Sequence, residues 1–399
     1  MADTTGDMAS TGWGLEPESP DADPWVEPAT IASGPPPERA IPPRPRRWAL
    51  VGALALSALI GAVTASAVLL AFDSDDTTAT TLAPLGPGTA TPTSPAAIVA
   101  ARVIPSIVTV EVSNSNSGDF VADASGSGVV LDAAGTIVTN QHVVDGALRY
   151  QVLFADGRTY SASLVGEDAL TDLAVLRVDT TGLTPIALGS SRSMSIGDLT
   201  IAVGSPLGLE GGPSVTVGVL SAFDRRVRTS DDSELFGLLQ TDAPITRGSS
   251  GGALVDGEGR LIGITSAIAV SDVGAEGLGF AIPVEMVQRI TADLIADGVS
   301  PHPFLGISGS THFETRPDGA LAPAGVEVAT IIENTAAALA GIAEGDIIVT
   351  FAGDAVVTMD RLVVQLRYYR VGDTVEVGLT RDGVQMTLAV MLLERPEGV

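Results

Sequence analysis

From about residue 97 to residue 300, the apolar positions fall in short, β-branched runs cut by Gly, Asp and Pro, the pattern of an all-β barrel domain. Val103 to Val112, Gly128 to Leu131, Thr136 to Thr139 and Leu173 to Val178 predict strands of a first barrel. Leu199 to Val203, Ser214 to Leu220, Gly252 to Val255 and Leu261 to Ala267 predict strands of a second. The period changes at Pro283 to Asp297, where Met286, Val287, Ile290, Leu294 and Ile295 recur at helical spacing, so a closing helix with its apolar stripe in the core is expected. Far upstream, Trp48 to Phe72 holds 25 residues without a charge, enough for about 37 Å of helix at 1.5 Å per residue. That run predicts a transmembrane helix.

The flanks of this run set an expected topology. Arg39, Arg44, Arg46 and Arg47 precede it and Asp73, Asp75 and Asp76 follow it, which places the N-terminus in the cytoplasm and the remainder outside, as a single-pass protein of the cell membrane. Ala65, Ser66 and Ala67 resemble a leader cleavage site, the competing reading; the long preceding tail and the apolar residues continuing to Phe72 favour an uncleaved anchor. Residues 1–47 are rich in Pro, Glu and Asp without an apolar period and are expected to stay disordered, with Pro35, Pro36, Pro37, Pro42 and Pro43 as a stiff spacer. Residues 73–96, full of Thr, Pro, Gly and Ala, predict a flexible linker.

Charge and composition narrow the chemistry. A formal charge of −27 makes nucleic acid a poor partner. With no cysteine there is neither a disulfide framework nor a thiolate metal site, and a domain of roughly 200 residues can bury its core without either. The three histidines, His142, His302 and His312, are scattered and form no ligand set. No metal and no cofactor are expected, and His302 and His312 read as surface residues.

One constellation carries chemistry. Gly248, Ser249, Ser250, Gly251 and Gly252 place a hydroxyl in a turn whose bare backbone can close around a reacting group, with the amides of Gly248 and Ser250 converging on a developing negative charge. Ser250 is the candidate nucleophile. Such a hydroxyl needs an imidazole to take its proton and a carboxylate to orient that imidazole. His142 follows the apolar run Thr136 to Thr139, and Asp172 directly precedes Leu173 to Leu176. The order His, Asp, Ser is that of the chymotrypsin-type arrangement and not of the hydrolases with a serine elbow. Taken singly, each residue also reads as a loop, a structural histidine or a turn cap; together, in this order, they point to an enzyme.

The segments TNQHVVDGA, TDLAVLRV, TRGSSGGAL, AVGSPLGL, VTVGVLSAFDR and GLGFAIP resemble the HtrA (Deg) family of trypsin-like serine proteases over about residues 97 to 395. The resemblance implies His142 as general base, Asp172 as its orienter, Ser250 as nucleophile and the Gly248 and Ser250 amides as oxyanion hole. It also implies a substrate pocket around Ile245, Thr246, Thr265, Ser266 and Ala267, suited to small or medium aliphatic side chains. Pro244 stands six residues before Ser250, where enzymes cutting after Lys or Arg hold an Asp, and Asp242 reads as structural. Where the family usually has Pro-Gly-Asn-Ser-Gly-Gly-Pro-Leu, this chain has Arg247, Gly248, Ser249, Ser250, Gly251, Gly252, Ala253 and Leu254. Ser249 carries no charge to receive a new amino terminus, so activation by clipping is not expected.

Downstream, Pro303, Phe304, Leu305, Gly306 and Ile307, then Glu344 to Ile348 and Met359 to Leu362, resemble a PDZ domain. Such a domain adds an extended peptide as a strand and holds its terminal carboxylate in the loop Phe304, Leu305, Gly306, Ile307. The expected fold class is therefore mainly β: a chymotrypsin-like double β-barrel over residues 97–300 and an α+β PDZ domain over 301–399, preceded by one transmembrane helix at 48–72. The expected function is a membrane-anchored serine endopeptidase that degrades unfolded or damaged proteins outside the cytoplasm through an acyl-enzyme, losing activity in acid as His142 takes a proton. Peptide C-termini are the expected PDZ partners, and the resemblance implies a homotrimer controlled by PDZ ligands. The rival is a catalytically silent PDZ adaptor or chaperone, for which Arg247 and Ser249 speak.

Overall fold

In the computed structural model, residues 91–205, 212–229, 233–267 and 277–395 are described. Ser94 accepts a hydrogen bond from the Ala97 amide at 3.2 Å and caps helix α1 (Pro95–Val103), with Pro95 placed where its missing amide hydrogen is not needed. The strand expected from Val103 begins at Ile107, because Ile104–Ser106, with Pro105, forms a 3-10 turn first.

Six strands, β1 (Ile107–Ser113), β2 (Ala124–Val130), β3 (Thr136–Thr139), β4 (Arg149–Phe154), β5 (Thr159–Asp168) and β6 (Leu173–Val178), close into a barrel in the order β1-β2-β3-β6-β5-β4. A short helix, α2 (Gln141–Val144), leaves the end of β3. Seven more strands follow: β7 (Ala187–Leu188), β8 (Leu199–Gly204), β9 (Ser214–Arg228), β10 (Glu234–Thr241), β11 (Ala253–Asp256), β12 (Arg260–Ser266) and β13 (Gly279–Pro283). They run β11-β8-β9-β10-β13-β12-β7, and β11 also pairs with β12, so six of them join into a ring with β7 outside. Helix α3 (Val284–Asp297) closes the unit and ends on Gly298 in the left-handed region, φ 77°.

Alternation along the strands explains why Ile137 and Val138 of β3 and Leu173 to Leu176 of β6 are apolar without a break. In β6, Ala174, Leu176 and Val178 point into the first barrel, while Leu173 and Val175 point outward into a second apolar layer. That layer also takes Val99 and Val103 of α1, Ile201 and Val203 of β8, Ile264 of β12 and Ile290 and Leu294 of α3. The barrels are thus joined through a shared core.

The C-terminal unit pairs β14 (Pro303–Phe304) with β21 (Leu393–Glu394). Its main sheet holds β15 (Ile307–Thr315), β16 (Leu321–Ile331), β17 (Ile347–Phe351), β19 (Thr374–Arg381) and β20 (Val384–Met391) in the order β15-β16-β17-β19-β20, with β18 (Asp354–Ala355) on β17. Helices α4 (Ala336–Ala340) and α5 (Met359–Leu366) complete an α+β fold around Phe351, Val377 and Leu379.

The expected fold class is corrected in one respect. Among the described residues no helix is long and apolar enough to cross a membrane. The longest, α3, has 14 residues, about 21 Å against a hydrocarbon core of about 30 Å, and it carries Glu285, Arg289, Asp293 and Asp297. The expected span from Trp48 to Phe72 lies outside the described residues. The transmembrane helix, the membrane as partner and the single-pass placement with a cytoplasmic N-terminus are withdrawn, leaving the double-barrel and PDZ-like folds.

Candidate active site

Strand register brings the distant residues together. Thr139 pairs with Ala174 in β3 and β6, so the chain leaves one strand and enters the other at the same end of the barrel. His142 stands three residues past β3, inside α2, and Asp172 stands one residue before β6. His142 Nδ1 lies 2.8 Å from Asp172 Oδ1 and 3.0 Å from Oδ2, and the His142 amide donates to Oδ1 at 3.1 Å. A carboxylate only accepts, so Nδ1 carries the proton and Nε2 of the neutral ring is left as an acceptor.

Two further side chains hold Asp172. Ser266, expected in the substrate pocket, donates Oγ–H to Asp172 Oδ2 at 3.0 Å and is fully buried. Asn140, which the sequence did not single out, donates Nδ2–H to the Asp172 carbonyl at 2.8 Å. Its signal was present in the TNQH segment, but an Asn just before a helix reads as an ordinary cap.

Ser250 lies on the wall formed by the second barrel, in the turn before β11. Its hydroxyl accepts a hydrogen bond from the Ala267 amide at 3.0 Å, and among the described residues it has none with His142. Ser266 and Ala267 are consecutive, so the end of β12 touches the acid with one residue and the alcohol with the next. The turn itself is held by backbone: Ser249 N donates to Thr246 O at 2.9 Å, Gly252 N to Ser249 O at 3.0 Å and Gly251 N to Thr265 O at 2.9 Å. Thr265 Oγ also donates to Ser249 O at 2.6 Å. Because the peptide is trans, a Ser249 carbonyl turned toward Gly252 and Thr265 turns the Ser250 amide hydrogen the opposite way.

Gly251 at φ 83° has no room for a side chain, since a Cβ there would sit 2.1 Å from the Ser127 carbonyl. From the first barrel, Ser127 Oγ donates to Gly248 O at 2.7 Å and Ser127 N to Ser250 O at 2.7 Å. The turn is braced without the family's asparagine. Of the remaining pocket candidates, Ile245 is buried in the second barrel's core with Ala267 packed on the same cluster, Thr246 is exposed and Thr265 is committed to the turn. Asp242 accepts from the Val219 amide at 2.6 Å.

A cavity of about 210 Å³ lies between α5 and the segment Pro303 to Ile307, lined by Leu305, Ile307, Leu362, Val363, Leu366 and, from the barrel side, Leu170. Strand β15 is an edge of its sheet, and Gly306 at φ 85° lets the loop fold against Thr335. Arg367 donates to the Leu170 carbonyl at 3.3 Å; burial pushes its guanidinium down to about 10, against the pull of Asp168. His302 is not a free surface residue: its Nε2 lies 2.8 Å from Asp168 Oδ1. Burial works to raise the Asp168 pKa, yet the hydrogen bonds from His302 and Thr171 outweigh it and hold the carboxyl below its ordinary value.

A depressed folded-state pKa means that the unfolded chain takes the proton first, so this clasp contributes fully above about pH 4 and is lost as pH falls through the lowered pKa. Asp168→Asn is expected to flatten the acid limb of stability, read as urea midpoints between pH 5 and pH 2.5. An unchanged limb would remove Asp168 from the account.

The geometry defines a trypsin-like hydrolase beside a PDZ-like α+β module, and comparison with known proteins agrees. Residues 126–264 match the trypsin-like peptidase domain and residues 303–392 the PDZ domain. The periplasmic serine endoprotease DegP of Escherichia coli is 40% identical over 274 residues, 67% of this chain, and the match spans only 57% of that relative. The serine protease PepD of Mycobacterium tuberculosis is 36% identical over 85% of this chain and 76% of its own length. The solved structure of the HtrA-type protease AlgW with a tripeptide aligns with a TM-score of 0.62 at 33% identity, over 76% of this chain and 98% of that one. The chain belongs to the HtrA family of serine proteases.

Proposed function

We propose that this protein is a serine endopeptidase acting on unfolded polypeptide, with residues 97–300 as its peptidase domain and 301–399 as a PDZ domain for peptide C-termini. The observation that carries the reading is the grip of Asp172 on His142 Nδ1, with Ser250 tied to the same site through Ser266 and Ala267. In this reading Ser250 turns about χ1 from Ala267 toward Nε2, an adjustment apo catalytic groups commonly require. His142 takes the hydroxyl proton as Ser250 attacks, and the imidazolium formed is steadied by Asp172. The Ser250 and Gly248 amides receive the charge on the carbonyl oxygen. His142 then returns the proton to the leaving amine, and water hydrolyses the acyl-enzyme by the same steps.

The test is labelling of the purified chain by a fluorophosphonate together with cleavage of reduced, unfolded casein. Both are expected. A chain that binds peptides but neither labels nor cleaves would favour the adaptor reading.

The apolar cavity beside the edge strand supports strand addition of a peptide whose last side chain is apolar. Because Leu170 lines it, Leu170→Ala is expected to weaken binding of a fluorescent peptide with a free C-terminal leucine about tenfold, measured by anisotropy. Unchanged affinity would place the ligand's last side chain elsewhere.

A further inference from the structure

We propose that Asn140 is a positioning residue for Asp172, an inference that rests on the endopeptidase reading above. Asn140 is the N-cap of α2, fully buried, with φ −79° and ψ 150°. An asparagine there ordinarily accepts from the second or third helical amide. This one makes no such bond; the second amide, that of His142, donates to Asp172 Oδ1 at 3.1 Å instead. The side chain released from capping donates Nδ2–H to the Asp172 carbonyl at 2.8 Å, and its Oδ1 has no partner among the described residues. Rotating the amide by half a turn would set oxygen against oxygen, so the orientation is fixed by the carbonyl it meets.

Asp172 needs this support. Its φ of 57° lies in the left-handed region, which apart from glycine chiefly asparagine and aspartate visit, and then as single residues. Its carboxylate must meet the amide and ring nitrogen of His142 and the Ser266 hydroxyl at once. The peptide plane following Asp172 sets where that carboxylate points, and Asn140 holds the oxygen of that plane. Asn140 also precedes His142 by only two residues. One amide therefore locks the segment bearing the imidazole to the segment bearing its acid.

The test compares Asn140→Ala and Asn140→Asp with wild type on a fluorogenic peptide, with thermal unfolding followed in parallel. Asn140→Ala is expected to lower kcat about ten- to hundredfold through misplacement, with KM within about twofold. Asn140→Asp keeps the size but replaces donor by acceptor, and is expected to do at least as badly at neutral pH. In an Asp172→Asn background, Asn140→Ala is expected to cost less than about twofold further, because the group it positions is already disabled.

An aspartate at 140 with near wild-type activity, an equal loss in both backgrounds, or no loss from alanine would overturn the proposal. The downfield Nδ1–H resonance of His142 gives a readout independent of turnover: it is expected to broaden or vanish in both variants, and its persistence unchanged would count against positioning. Failure of the endopeptidase reading would show separately, as a wild type that neither labels nor cleaves.

Discussion

Ser250→Ala is expected to lower kcat by a factor on the order of 10⁶, because a side chain without oxygen cannot form the acyl-enzyme. The fold should survive the change. None of the bonds that brace the turn uses the Ser250 hydroxyl: they run through the backbone of residues 246 to 252 and through Thr265 and Ser127. The only described partner that loses its acceptor is the Ala267 amide, a cost of about 1 kcal/mol. Steady-state cleavage of a fluorogenic peptide and loss of fluorophosphonate labelling, beside an unfolding curve close to wild type, would check both halves. Retention of more than about one per cent of the activity would mean that another group attacks.

Asp172→Asn is expected to cost about 10⁴ in kcat. The amide oxygen, in the place of Oδ1, can still accept from the His142 backbone, while the amide nitrogen, in the place of Oδ2, meets His142 Nδ1 and the Ser266 hydroxyl, which can turn to accept. What changes is the face toward Nδ1. An amide nitrogen placed there donates, so the ring proton moves to Nε2 and the acceptor needed by Ser250 disappears. Asparagine also tolerates the left-handed φ of 57° at this position, so the loss should be chemical and not structural. A loss below tenfold, measured with the same substrate, would show that the imidazole is oriented without this carboxylate.

The sequence was most legible where a residue's two neighbours along the strand are both apolar or where glycine admits no substitute. Thr136–Thr139 and Leu173–Val178 were read with the bounds the structure has, since both faces of each strand are buried. The run at Gly248 to Gly252 was legible because its glycines stand where a side chain does not fit: Gly248 and Gly251 at φ 86° and 83°, and Gly252 against the Val203 carbonyl. Strands β4 and β5 passed unread: Tyr150, Gln151, Tyr160, Ala162 and Leu164 are only half buried, and a register shift between Leu164 and Gly166 breaks the alternation. The resemblance put Ser266 in the substrate pocket, because a serine at a strand end carries no mark of the carboxylate it meets 94 residues away. His302 was misjudged for the same reason, its partner Asp168 lying 134 residues off. The anchor was read from hydropathy and flanking charge, on residues that lie outside the described ones.

Ser127 belongs to the first barrel, yet its amide and hydroxyl both hold the turn that carries Ser250, and the hydroxyl also receives the Ser205 amide. Substrate therefore cannot enter by prying the two halves apart, since that would dismantle the reactive turn itself. The seam between the barrels is thereby part of the reactive site. Warming that loosens the seam should then silence the enzyme some degrees before the chain melts.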